Sequence, residues 1–362
     1  MDNRVALVGT AKGLVVFDFA GGGEPRLTDI HFAGYAANMV FADRRSGRWW
    51  VGLSHRHWGQ KLHYSDDSGK SWQEAALPKL NGLTLPNGQP ATLRQVWSMA
   101  GAGEDKQNEL WLGTDPGALF HTKNNGASFE LVKSLWHHPS REQEGQWFGA
   151  GSDYPFIHSV VVDPRDSQHV YVAVSCAGVF ETTDGGENWH PRNKGLRAAY
   201  LPNPNVEVGH DPHVLLMSPQ DSRILWQQNH CGIYTSTDGG GEWVECSDES
   251  GMPSYGFGMV IDEADPSRAW VIPVESDAQR IAPNLKLQVY RTDDFGKHWV
   301  SDSDGLPTGV SFDIVLRQAF RKEGDLFLFG TSNGNLFYRN GADTPWRSLH
   351  VHLTKVSSIF IC

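Results

Sequence analysis

The sequence predicts an all-β protein, a seven-bladed β-propeller with a tight turn at one end of its blades. Three observations lead there. One turn motif recurs along the chain at the spacing of propeller blades. Glycine and tryptophan are both abundant, with 39 and 14 among 362 residues, which suits many tight turns beside large packing side chains. The two chain ends carry complementary parts of one repeat unit.

The motif occupies residues 65–72 (SDDSGKSW), 122–129 (TKNNGASF), 182–189 (TTDGGENW), 236–243 (STDGGGEW) and 292–299 (TDDFGKHW), and a decayed sixth copy ends at Trp346. The closing aromatic returns roughly every 47–60 residues. Asp or Asn accepts backbone N–H groups across the turn, and Gly takes a left-handed position. The Trp then packs between neighbouring sheets. Nothing in the motif requires chemistry.

Each unit also has a preamble. An apolar run ends in an Asp-Pro-like turn, a second strand ends in small residues, and a third leads into the motif. Residues 158–164 (HSVVVDP), 170–174 (VYVAV) and 178–180 (GVF) show this for the fourth unit. With the strands of a unit lettered A to D, A strands begin near Asn38, Arg94, His158, His213, Phe257, Asp313 and Ser357. The last has no B or C after it, whereas residues 4–10 (RVALVGT) and 13–17 (GLVVF) read as B and C without an A. Pairing of the N- and C-terminal strands therefore closes the ring, in one domain spanning residues 1–362.

The repeated turn is the Asp-box, or BNR repeat. The chain resembles the Asp-box β-propellers, which include sialidases, xyloglucanases, the sortilin ectodomain and the photosystem II assembly propellers. More closely, it is similar to bacterial BNR-repeat proteins labelled exo-α-sialidase or glycosyl hydrolase-like. The resemblance covers nearly the whole chain and implies the fold; this fold hosts many functions. Sialidases of this kind bind a substrate carboxylate with an arginine triad and use a Tyr nucleophile, a Glu partner and an Asp acid/base. Their Phe/Tyr-Arg-Ile-Pro motif is not found, and residues 280–283 (RIAP) are a lookalike inside a loop of unit six. Xyloglucanases of this type use two propellers and paired carboxylates, and this chain has room for one propeller.

Composition narrows the partners. The formal net charge is −11, and no Lys/Arg run could track a phosphate backbone, so nucleic acid is not expected. No segment approaches the length of a membrane-spanning apolar run. Residues 1–10 (MDNRVALVGT) lack a basic region followed by an apolar one, and the expectation is a cytoplasmic protein. Cys176, Cys231, Cys246 and Cys362 form no CxxC pair and no disulfide framework.

Topology sorts the loops. The C–D turns that carry the motif lie on one face; the B–C and D–A loops lie on the other. The long D–A segments 74–93, 131–156, 191–212 and 247–256, with a B–C excursion at 275–286, are expected to wall a pocket at the channel mouth. The 16 histidines favour that face. His55 and His57 sit in a B–C loop, His137 and His138 in a D–A segment, His210 and His213 at the end of the next, and His230 at the end of a B strand. Aligning units four and five puts His158 and His213 at one strand-A position, so their rings are expected to meet at the rim. His158, His210, His213 and His230 are the candidate ligands of a divalent metal (Zn, Mn or Fe), and no organic cofactor is expected. His55, His57, His138, Asp211 and His230 are the candidate acid/base groups. Trp58, Trp136, Arg141 and Tyr200 are the candidate substrate contacts, with Arg94, Arg192 and Arg197 near the same face. His63, His121, His169, His190 and His298 read as structural.

The expected activity is that of a hydrolase or lyase on a small polar, carbohydrate-derived or anionic molecule. Two alternatives stand beside it. One is a metal-free, sialidase-like glycosidase pairing Asp211 with Glu275, Asp153 or Glu207. The other is a non-catalytic binding or assembly propeller. Oligomeric state is not implied by the sequence.

Overall fold

The computed structural model describes residues 4–21, 23–143, 145–247 and 252–362. It is all-β: among the described residues the one α-helix is a single turn, Lys133–Trp136, accompanied by two 3-10 turns. No helix there is long and apolar enough to cross a membrane.

The strands form five four-stranded sheets and one eight-stranded sheet. In each four-stranded sheet the strands are antiparallel and consecutive in the chain. The eight-stranded sheet divides into two such units, joined through one parallel pair, Gln318 with Ser358, between Val315–Glu323 and Val356–Ile361. Val356–Ile361 also pairs antiparallel with Val5–Thr10, Ala6 opposite Ile361 and Val8 opposite Ile359, as expected for the two chain ends. The innermost strands Ala36–Asp43, Gln95–Gly101, Ile157–Asp163, Pro212–Met217, Gly256–Ile261, Val315–Glu323 and Val356–Ile361 each contact the next.

Alternation explains the packing. The second strand of each unit is buried on both faces, as in Leu110–Asp115, Leu225–Asn229 and Leu326–Thr331, because it lies between sheet neighbours and adjacent units. Trp50, Trp111, Trp226 and Trp270 sit on such strands and are almost fully buried. At about 25 cal/mol per Å² of apolar surface removed from water, large rings at these inter-unit layers supply much of the stabilisation.

The five motif segments fold to one hydrogen-bonded turn. In residues 182–189, Thr182 Oγ1 donates to Asp184 Oδ1 at 2.7 Å and accepts the Gly186 N–H at 3.0 Å, while Asp184 Oδ1 accepts the Asn188 N–H at 2.9 Å. The same three bonds recur from Ser65, Thr122, Ser236 and Thr292. Gly126 shows why the glycine is needed: φ is +81°, and a Cβ there would sit 2.2 Å from the Trp50 ring. The indole N–H of Trp243, Trp299 and Trp346 donates to Arg192, Cys246 and Asp302 carbonyls respectively, each on the preceding unit. Trp346 thus keeps the packing role although its turn has decayed.

One feature of the inner strands prepares the site. Their register slips at Asn38, Trp97, His158, His213 and Phe257, one residue on each of five strands. Ser357 is skipped in the same way opposite Val5–Thr10. In Val315–Glu323 the irregularity spans Val315 to Phe320 and includes Leu316 and Arg317. Such bulges re-aim side chains. The alignment of His158 with His213 therefore holds at the level of backbone geometry. Gln318 reaches across the centre, where its Nε2 donates to the carbonyls of Trp97 at 2.7 Å and His158 at 3.1 Å.

Candidate active site at the centre of the units

Bulged positions of six of the seven inner strands surround a cavity of about 330 Å³, at the small end of the range for ligand sites. Asn38, Trp97, His213, Phe257, Arg317 and Ser357 line it from the inner strands. Loops close it: Ala150–Ser152 come from the segment before the fourth unit, Tyr255 from the segment before the sixth, and Asp277 and Arg280 from the excursion of the sixth. Gln318 lines this cavity and a second one on the far side of it, so its amide bridges the two.

Three groups converge at one wall. Asp211 ends the loop before Pro212–Met217, His213 sits at the bulge of that strand, and His230 follows the neighbouring strand Leu225–Asn229. Asp211 is held from behind, where its Oδ1 accepts the Ser175 hydroxyl at 2.7 Å and the Cys176 N–H at 3.2 Å. Its Oδ2 faces His213 Nε2 at 3.3 Å and His230 Nδ1 at 3.4 Å. The backbone N–H of His230 donates to the Asp211 carbonyl at 2.9 Å, which ties the two loops together.

The tautomer of His213 follows from one bond. Its Nδ1 lies 2.6 Å from the Gly256 carbonyl, which can only accept, so Nδ1 carries the proton. Burial pushes the His213 pKa down, and Asp211 pulls against that shift. Nε2 is left facing the carboxylate, as a lone pair in the neutral ring or as an N–H donor in the charged one. That carboxylate is ionised: burial acts to raise its pKa, but His213, His230 and Arg317 outweigh it and hold Asp211 well below the ordinary range. A lone pair and an anion 3.3 Å apart in a buried wall repel unless a cation or a shared proton lies between them. A histidine that donates its other N–H to a backbone carbonyl is the usual arrangement of a metal-ligating imidazole. The ligand atoms of Asp211, His213 and His230 lie within 4.8 Å of one another, and two His with one carboxylate suit Zn, Mn or Fe.

The other expected residues fall elsewhere. His158 is buried, its Nδ1 2.9 Å from the Ser159 hydroxyl, and it lines the second cavity. His210 donates from Nε2 to the Val206 carbonyl at 2.7 Å. The structure thus gathers two of the four histidines, with Asp211 in place of the other pair. His55 Nδ1 accepts the N–H groups of His57 and Trp58, and Trp58 is 70% exposed; the three stand outside the cavity lining. His138 pairs with the Ser140 hydroxyl and packs its edge on Phe180. Trp136 lies 3.9 Å under the buried Arg141 guanidinium, which donates to the Gly117 carbonyl; with His137 they border a different cavity. Tyr200 touches the site through its ring, 5.1 Å from that of His230, while its hydroxyl donates to the Gly209 carbonyl. Cys176 is buried and its thiol pKa is pushed up by that burial, so it is inert.

Of the expected carboxylate partners for Asp211, Asp153 pairs with Arg94 at 2.8 Å, Glu275 accepts the Asn284 N–H, and Glu207 accepts the Asn193 N–H. The second carboxylate in the cavity is Asp277. Arg280, donating at 2.9 Å, lowers its pKa, and Tyr255 Oη lies 3.4 Å from it. Sequence reasoning passed over Asp277, Tyr255 and Arg317.

No family model matches the chain. It is similar to an oligoxyloglucan-reducing end-specific xyloglucanase of Emericella nidulans, 23% identical over 282 residues, which is 67% of this chain and 32% of that protein. The chain thus spans about a third of that curated relative. Among solved structures it resembles the GH74 xyloglucanase of Xanthomonas campestris, with TM-score 0.60 and 16% identity, covering 97% of this chain and 54% of that one. It also resembles YCF48 from Cyanidioschyzon merolae, with TM-score 0.56 and 15% identity, covering 95% and 98%. These likenesses show a propeller-type fold.

Proposed function

We propose that the chain forms one closed, seven-bladed propeller and is a hydrolase or lyase of a small carbohydrate-derived substrate. Asp211, His213 and His230 hold a divalent cation at the cavity wall. The observation that carries this reading is the convergence of Asp211, His213 and His230, whose ligand atoms lie within 4.8 Å of one another, with His213 Nδ1 spent on the Gly256 carbonyl and Nε2 turned to Asp211. The likeness to xyloglucanases supports a carbohydrate substrate, and the cavity suits one sugar-sized group.

A cation there supplies Lewis-acid polarisation or an acidified water. The chain's own groups do the rest. Gly256 and Ser175 orient the ligands through His213 and Asp211. Asp277, kept ionised beside Arg280, takes up a proton, and Tyr255 Oη bridges towards it. Tyr200 and Tyr255 pack their edges around His230 and limit water at that wall.

The test is metal analysis after expression with Zn, Mn or Fe. About one equivalent per chain is expected, falling below roughly a tenth in Asp211→Asn. Equal metal content in both proteins contradicts the site.

A second reading rests on the two carboxylates, Asp211 and Asp277, that share the cavity: a metal-free glycosidase. Hydrolysis of aryl glycosides that survives His213→Ala but is lost in Asp277→Asn favours it over the first.

A further inference from the structure

Among the described residues Arg317 is a cation paired with no carboxylate. The irregular stretch of Val315–Glu323 turns it into the cavity, where it shares the lining with Asp211, His213 and His230. Its guanidinium carbon lies 5.3 Å from the Phe156 ring centre and 4.8 Å from that of Phe257. Its Nε is buried, and among the described residues no acceptor pairs with it. Arg141 and Arg321 donate to backbone carbonyls, and two further arginines hold carboxylates. Arg45 has Asp43 and three backbone carbonyls, and Arg339 has both oxygens of Asp302. Asp211 attracts Arg317 but is not in contact with it, being turned to Ser175, Cys176 and the two histidines.

An unpaired guanidinium inside a cavity costs stability unless a ligand supplies its acceptors. Phe156 and Phe257 flank the guanidinium, whose N–H groups donate in its own plane. An edge with parallel N–H groups matches a carboxylate bidentately. We propose that Arg317 anchors the carboxylate of an acidic sugar, so that the cavity accepts uronate-type substrates in preference to neutral ones. This rests on the carbohydrate reading above and names its substrate class, but it does not depend on the cation. The carboxylate end lies at Arg317, and the rest of the sugar is presented to the wall of Asp211, His213 and His230.

Binding calorimetry with D-glucuronate, D-galacturonate, acetate, D-glucose and inorganic phosphate tests it. A uronate is expected to bind, with acetate weaker and D-glucose undetected. Arg317→Met keeps the stacking bulk and is expected to weaken uronate binding at least about tenfold. Arg317→Lys keeps the charge, loses the fork and is expected to fall between; it serves alone if the Met variant does not fold. Four results each overturn the proposal: wild-type protein that binds neither uronates nor acetate, uronate affinity unchanged in both variants, glucose binding as tight as uronate, or phosphate binding tighter than uronate. A protein that binds uronate through Arg317 yet carries no metal refutes the cation reading alone. A metal-loaded protein whose uronate affinity ignores Arg317 refutes this one alone.

Discussion

The motif turns and the central cavity are built from the same repeat, yet they treat polar groups in opposite ways. At the turns, the Thr or Ser hydroxyl donates to the Asp or Asn and accepts a glycine N–H, so the group is used in both directions. In the cavity, His213 Nε2 and His230 Nδ1 crowd one oxygen of Asp211, and among the described residues Arg317 Nε has no acceptor. Repetition makes the first end uniform and self-sufficient. The second end breaks the repeat, because the bulged position carries a different side chain on almost every strand.

That contrast is broken most easily by stability measurements. Gly126→Ala forces a Cβ against Trp50 from a left-handed backbone, and a loss of about 3 kcal/mol in chemical unfolding is expected. Asp211→Asn is expected to do the reverse at the other end. Its amide can still accept from Ser175 and can donate to His213 Nε2, so metal-free stability stays within about 1 kcal/mol of wild type or rises. A large loss on this substitution would mean the cavity polar groups support the fold rather than a ligand. Thr182→Val removes the doubly used hydroxyl and is expected to cost about 1–2 kcal/mol. No measurable loss would show that the turn bonds are dispensable.

A smaller, pH-dependent effect separates the paired clusters from the cavity. The hydrogen bond to Glu181 raises the pKa of His169, with burial opposing it. A raised folded value stabilises fully below the unfolded value of 6.5 and is lost as pH climbs through the folded one. The deficit of His169→Gln against wild type should therefore be up to about 1 kcal/mol at pH 6 and vanish by about pH 9. Glu181 behaves oppositely: burial acts to raise its pKa, but bonds from His169, Tyr171 and Arg192 bring it to about 2. Its contribution holds above the unfolded value of 4.5 and disappears as pH falls towards 2. A His169→Gln deficit that is flat with pH contradicts the assignment.

The sequence carried the repeat plainly, because turn chemistry is local: SDDSGKSW and its copies need only neighbouring residues to specify them. The strand starts near His158 and His213 were legible for the same reason, and so was the pairing of the chain ends. The site was legible only in part. His213, His230 and Asp211 were readable as chemistry, but which of them meet depends on bulge geometry. His210 looked equivalent to its neighbours until its Nε2 was spent on Val206. Asp277 lies in a loop excursion and Arg317 in an irregular stretch of its strand, so no local pattern pointed to them.

The most direct measurement is the metal content of wild-type protein and Asp211→Asn after identical purification from Zn-, Mn- or Fe-supplemented cultures. The account requires about one ion per wild-type chain and loss of it in the variant. Wild-type protein holding less than roughly a tenth of an ion under every supplement would contradict it.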